Sequence, residues 1–515
     1  MNTNQTGGRV PFFLLCLAVL LVAGCSKKEA APQSAAPASS QQAGGQAAQS
    51  PALTPATHQA PPATANMVLP SPYGIHTDDL DAMMKRRYIR AIVIINPIGF
   101  FYSKGHPMGA MYEALRELEK YVNDKYKTGK FPVKVTFIPL RPDQVEEALH
   151  RGVGDFVAYG LIVSPQREQR VAFTVPIQKD LKQVVVSGPD FGTVTTVEDL
   201  GGKEIYVNEL SVSYHRLQQL NDKLKQEGKP LIKIKIADSN LLDDDLIQMV
   251  NARLIPATVT TDARAKLWSQ VLPDITVHPE PVLASGEETA WALRKDNLQL
   301  KSMLDEFITP RAVGTSFGNT LVRRYLQNTK WVKDSTSPEE MKKFDAMREI
   351  FKQYSSQYGF DYLMMMAQGY QESLLNQSAR NPSGAVGIMQ VIPKYAAANP
   401  INVKDVQVAR GNIEAGVKML RNIEDQYFND PNIDQVDKTL MVFASYNAGP
   451  NRIARLRAQA QQQGLDPNKW FGNVELLVAQ NVGQETVTYV GNVYKYYIAY
   501  KLAVKDEKAQ AAASK

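Results

Sequence analysis

Only two cysteines occur in 515 residues, Cys16 and Cys25, and both lie near the start of the chain. The body of the protein therefore has no disulfide framework. All six histidines stand at or before His278, so everything after it holds neither His nor Cys. That excludes a Cys- or His-based nucleophile in the last third of the chain and argues against a conventional zinc site there. No cofactor is expected, and carboxylates must do any proton work. Charge of one sign is scarce as well. Lys+Arg 58 against Asp+Glu 52 leaves +6, too mild an excess to indicate a nucleic-acid partner. What is present is an ordinary globular composition, 44% hydrophobic and 21% charged. It excludes a collagen, a coiled-coil rod and a wholly disordered chain, and the length allows roughly three domains.

The start reads as an export signal. Arg9 precedes an apolar stretch from Pro11 to Ala23, too short and wrongly flanked for a lasting transmembrane helix. It ends in Leu21-Val22-Ala23-Gly24-Cys25-Ser26. Small residues before a cysteine resemble the bacterial lipobox. The resemblance implies a signal peptide over 1–24 and lipidation of Cys25. Ser26, not Asp, favours the periplasmic face of the outer membrane. The alternative is an ordinary signal peptide, or an N-terminal anchor, with an incidental cysteine. Residues 25–72 are rich in Ala, Pro, Gln and Ser, cannot bury enough surface to fold, and are expected to form a disordered linker.

From Tyr88 the pattern changes. Ile89 to Ile95, Val133 to Leu140 and Phe156 to Val163 read as strands, alternating with helices over Met108 to Asn123 and Asp143 to Arg151. A second set follows: strands at Glu204 to Val207, Ile232 to Ile236 and Ala257 to Thr260, with helices over His215 to Gln226 and Asp244 to Ala252. Two such series predict a mainly parallel sheet in two lobes with a cleft between them. The segment Gly154 to Ile177, GDFVAYGLIVSPQREQRVAFTVPI, resembles the periplasmic solute-binding proteins of the polar amino-acid class, family 3. By that resemblance residues 73–310 form a two-lobed binding domain. Arg167 would clamp a ligand carboxylate, which a guanidinium fork suits, and Asp262 would meet an amino group. Stem peptides of the cell wall or an amino-acid-like ligand are the expected occupants. The serines that usually flank the carboxylate are replaced by Tyr159, Gly160 and Ile162. The alternative for Arg167 is a solvated turn arginine.

After Thr309 strand patterns stop. Ser337-Pro338-Glu339-Glu340 opens a helix to Tyr358, and Asp361 can cap another through Leu375. Further helices are expected over Asn412 to Phe428, Val436 to Asn447 and Glu485 to Val504. Near the end of the Asp361-capped helix stands Glu372, with Gly369 and Gln368 one turn back. Glycine inside a helix implies a close approach of a ligand or another backbone. A carboxylate at a helix C-terminus among apolar neighbours has a raised pKa, as a general acid for glycosidic cleavage requires. From position alone, a surface glutamate on an amphipathic helix is the stronger reading.

Four ordered pieces settle that choice: Glu372-Ser373, Gly384-Ala385-Val386-Gly387-Ile388-Met389-Gln390, Ser445-Tyr446-Asn447-Ala448-Gly449 and Glu485-Thr486-Val487-Thr488-Tyr489-Val490. Together they resemble the soluble-lytic-transglycosylase superfamily. The implied fold class is multidomain α/β plus α, a two-lobed periplasmic-binding-protein-like domain followed by an all-α lysozyme-like domain. Its expected span is 345–505, joined through 311–344 and followed by a disordered tail over 506–515. The resemblance makes Glu372 the single catalytic acid/base. It places Met389 and Gln390 on the glycan cleft, Tyr446 and Asn447 beside the acid, and Glu485 and Tyr489 on the far wall. Asn381 stands where the family usually has Ser, positioning carboxyl and sugar. Met389 and Tyr489 have core as their alternative, Glu485 a helix cap. Peptidoglycan glycan strands are the implied partner and no metal is called for. The alternative function is a peptidoglycan-binding or solute-binding lipoprotein without activity. The residues alone leave open whether water or the sugar itself is the nucleophile; the resemblance favours the sugar.

Overall fold

The computed structural model describes residues 74–96, 98–103, 106–325 and 333–513. The export signal, Cys25 and the linker lie outside them. No helix among the described residues is long and apolar enough to cross a membrane.

The expected strands form. Tyr88–Ile94 pairs in parallel with Lys134–Leu140 and with Phe156–Ile162, which builds the first lobe. In the second lobe Ala257–Thr261, Glu204–Val207 and Lys233–Ile236 run parallel. Two strands that the sequence reading lacks, Gln178–Ser187 and Ala284–Leu293, join the lobes. They pair antiparallel with each other and with both neighbours, so one continuous mixed sheet replaces the mainly parallel one expected. Both are polar in their first half and apolar in their second. A strand that leaves one lobe's core and enters another's has no single periodicity to detect.

The second lobe has a core of its own, around Val185, Leu200, Ile205, Leu217 and Val259. In the helical part, Pro338–Tyr358 starts on a Ser337 cap and Tyr362–Ser373 on an Asp361 cap. Leu363 to Tyr370 are all buried, so Tyr362–Ser373 is the central helix, enclosed on every side. The last helix runs Gln484–Ala513. It passes the expected end at Val504 and takes in most of the segment read as a disordered tail, because Ala, Lys and Gln there are strong helix formers. This helix also docks on the second lobe. Tyr494 donates to Asp238 at 3.0 Å, and Lys495 bonds Asp245 at 2.7 Å and Gln248 at 3.2 Å.

Candidate active site

Glu372 sits on the last turn of the central helix. Beyond Ser373 the chain turns through Leu374 and Leu375 at φ 59° and 54°. Left-handed conformations cost such residues about 1–2 kcal/mol each. They are held by what surrounds them. The Ser373 hydroxyl donates to the Ile388 carbonyl at 2.9 Å and accepts from the Asn376 N–H at 3.0 Å. The glutamate-serine pair thus ties the helix end to the glycine loop. Gly369 has its reason in packing: a Cβ there would meet Ile388, Phe351 and Leu375 side chains at 3.1–3.2 Å. That corrects the expectation that a ligand or a backbone approaches it.

The loop is fastened from a second side by Asn412, buried on the helix Ala409–Tyr427. Its Oδ1 accepts from Met389 N–H at 2.8 Å and its amide donates to the Val386 carbonyl at 2.8 Å. Gly387 has φ +77° and a Cβ there would strike that amide at 2.3 Å. No motif pointed to Asn412; an asparagine inside an apolar helical stripe was the available signal.

The Glu372 carboxyl is half-buried and accepts from the Tyr489 hydroxyl at 2.6 Å. Desolvation raises its pKa from 4.5 to about 7, against the lowering effect of the phenol. No other carboxylate acts on it among the described residues. Tyr489 is 8% exposed and its pKa lies well above 10, from burial first and then the Glu372 charge. It therefore sits directly on the acid, not on a far wall. Tyr446, expected to bond beside the acid, donates instead to the Met389 carbonyl at 2.8 Å. Met389 is fully buried against Gly416, so its side chain is core and does not line a cleft. Gln390 adopts φ 48° and donates to the Gly387 carbonyl at 2.9 Å. Asn447 accepts from Thr486 at 2.8 Å, which links the third and fourth motifs. Asn381 turns its carboxamide oxygen back onto the Ser383 and Ala385 N–H groups at 2.9 and 3.2 Å; it shapes the loop rather than reaching the acid. Glu485 is exposed in the first turn of the last helix.

The front-domain residues part from expectation. Arg167 donates to the Ile162 carbonyl at 3.0 Å and pairs with Glu146 at 3.3 Å, so its fork is engaged within its own lobe. Asp262 opens the helix Asp262–Trp268 and accepts from Lys182 N–H at 3.0 Å. Arg264 reaches Tyr159 across the lobes at 2.9 Å and, within its own lobe, Asp243 at 3.2 Å and Asp244 at 3.6 Å. Trp268 donates to Asp244 at 2.9 Å. The substitution of serine by Tyr159 was visible in the sequence; its partner Arg264 was not.

Residues 91–312 match the family of bacterial extracellular solute-binding proteins, family 3, and residues 349–470 match the transglycosylase SLT domain family. The chain thus carries a family 3 solute-binding domain followed by a transglycosylase SLT domain. It is similar to membrane-bound lytic murein transglycosylase F. The protein of that name from Desulfosudis oleivorans is 26% identical over 81% of this chain and 91% of its own length. The one from Pseudomonas fluorescens is 27% identical over 81% of this chain and 85% of its own. A solved ancestral arginine-binding protein bound to glutamine is 21% identical, with a TM-score of 0.37 over 47% of this chain and 99% of its own.

Proposed function

We propose that this protein is a peptidoglycan lytic transglycosylase, a lyase in which Glu372 is both acid and base. The observation that carries the reading is a half-buried carboxyl with a pKa of about 7, bonded by Tyr489 and acted on by no second carboxylate among the described residues. Hydrolases of this bond type ordinarily use two carboxylates. One suffices if the substrate supplies the nucleophile. Glu372 gives its proton to the oxygen of the MurNAc-β-1,4-GlcNAc bond as that bond breaks. It then takes the proton of the C6 hydroxyl of the same MurNAc as that oxygen bonds to C1. The product is 1,6-anhydro-MurNAc, with no net uptake of water. Gln390 and Asn447 supply the dipoles that steady the oxocarbenium-like state in this reading.

The deciding experiment is mass spectrometry of soluble muropeptides released from purified sacculi, comparing the protein with Glu372→Gln. Anhydro ends that vanish in the variant support the reading. Reducing MurNAc ends would make water the nucleophile, and release that survives the variant would remove Glu372 from its role.

Lipidation of Cys25 anchors the protein to the periplasmic face of the outer membrane in this reading; Cys25→Ser should move it to the soluble periplasmic fraction. The front domain takes a cell-wall peptide or amino-acid-like ligand and modulates cleavage. The last helix supports that link: it carries Tyr489 on the acid and, five residues on, Tyr494 and Lys495 on the second lobe.

A further inference from the structure

Gln368 lies one turn behind Glu372 on the central helix and is 0% exposed. Met364, Met365, Met366 and Ala367 precede it, all buried. An apolar residue would satisfy such a place. The glutamine instead brings a polar group whose Oε1 has no hydrogen-bond partner. Leaving a buried acceptor unmade costs about 1–3 kcal/mol, so the amide has no evident value to packing. Its nitrogen has one use. Nε2 donates to the Tyr489 hydroxyl at 3.2 Å, and that hydroxyl donates to Glu372 Oε1 at 2.6 Å.

A phenol has one proton and accepts through its oxygen lone pairs. With Gln368 donating into that oxygen, the phenol proton is directed onto Glu372 Oε1. The acid's own proton must then sit on Oε2, which has no partner among the described residues. Turning the amide over would satisfy Gln368 Oε1, but the phenol would then donate to the amide and be lost to Glu372. Tyr446 also bears on Tyr489, but its own proton goes to the Met389 carbonyl, so it is not a second donor into the Tyr489 oxygen. The charged and titratable groups that act on this chain of bonds are therefore Glu372, Tyr489 and Tyr446.

We propose that Gln368 is a positioning residue for glycan cleavage: it sets the direction of the Gln368–Tyr489–Glu372 hydrogen bonds so that the acid proton is carried on Oε2, toward the scissile oxygen. The proposal rests on Glu372 being the acid. Without Gln368 the phenol can rotate and accept from a protonated Glu372, and the proton is then held on Oε1, where it does no chemistry. Donation to the ionised carboxylate also weakens, because hydrogen bonds in a chain strengthen one another.

The test is the pH profile of muropeptide release by the full chain, for Gln368→Met, Tyr489→Phe and the double variant. Gln368→Met is expected to lower kcat about tenfold with KM unchanged, and to move the basic limb to higher pH. In the Tyr489→Phe background it should add nothing, because it acts through the phenol. A Gln368→Met profile that overlays the unaltered protein, or a loss that multiplies with that of Tyr489→Phe, overturns the proposal. Should Gln368→Met not fold, Gln368→Glu replaces it. Its protonated carboxyl still donates to Tyr489 and its ionised form only accepts, so activity should fall more steeply with pH than in the unaltered protein; a parallel fall overturns the proposal. Glu372→Gln, assayed alongside, separates the two levels. If it stays active, the acid assignment itself is wrong; if it is dead while Gln368→Met is unaltered, only the role of Gln368 fails.

Discussion

The α/β part of this chain and the Glu372 site treat charge in opposite ways. In the α/β part charges are paired. Arg90 and Asp155 are both fully buried and meet at 2.7 Å, Arg167 meets Glu146, and Arg264 meets Asp243 and Asp244. In the helical part the carboxyl that four motifs surround has no cation. Its one hydrogen-bond partner among the described residues is a phenol. A paired charge is held ionised and serves structure. A desolvated carboxyl with only a neutral donor keeps its proton near neutral pH, which is the condition for giving that proton away.

The sharpest way to break this comparison is Glu372→Gln. If the unpaired carboxyl is the chemical group, cleavage should fall about 10²- to 10⁴-fold, read as soluble muropeptide released per unit time, with the fold intact by circular dichroism. The next effect belongs to the paired region. Arg264→Ala leaves Asp243, Asp244 and Tyr159 without their shared cation and should destabilise the protein by about 2 kcal/mol, measured by denaturant unfolding. A smaller loss would mean that these charges are solvated rather than paired.

A pH dependence sharpens the contrast. Glu372 has a folded pKa of about 7 against an ordinary 4.5. The folded state thus holds a proton that the unfolded chain has released. Its contribution is fully present below pH 4.5 and is lost as pH rises through 7. Glu372→Gln lacks that loss, so its stability relative to the unaltered protein should grow between pH 4.5 and 7, by on the order of 2 kcal/mol, then level off. A difference that is flat across this range would show a carboxyl in ordinary contact with water. The smallest effect is Arg167→Ala. Its pair with Glu146 is partly exposed, and removal should change stability by about 0–1 kcal/mol. A large loss of ligand affinity in calorimetry would instead restore Arg167 as the carboxylate clamp.

What could be read ahead of the structure differs between the regions for a physical reason. In the helical part the informative residues are contiguous, and local geometry carries them. Ser373 follows Glu372 and Gly387 precedes Met389, so their spacing constrains how the loop meets the helix end. Asp361 and Ser337 cap helices as expected. In the front domain Arg167 and Asp262 were assigned singly, each with several partners within reach once the chain folds. Glu146 and the Lys182 backbone took them. The strands Gln178–Ser187 and Ala284–Leu293 were missed because each is divided between two environments.

The sequence by itself determined the order of the parts, the capped helices, the strands of each lobe and a glutamate among glycine- and asparagine-bearing motifs. Spacing along one chain is enough for those, since caps, periodicity and turns act over a few residues. Only the tertiary structure decided which phenol bonds the acid. Tyr446 and Tyr489 carry the same group, and the choice between them depended on where the last helix packs against the central one. The same packing placed Gln368 behind Tyr489 and Arg264 on Tyr159, contacts between residues more than a hundred positions apart in sequence. No local rule reaches that far, because burial and orientation at such separations are set by the whole core.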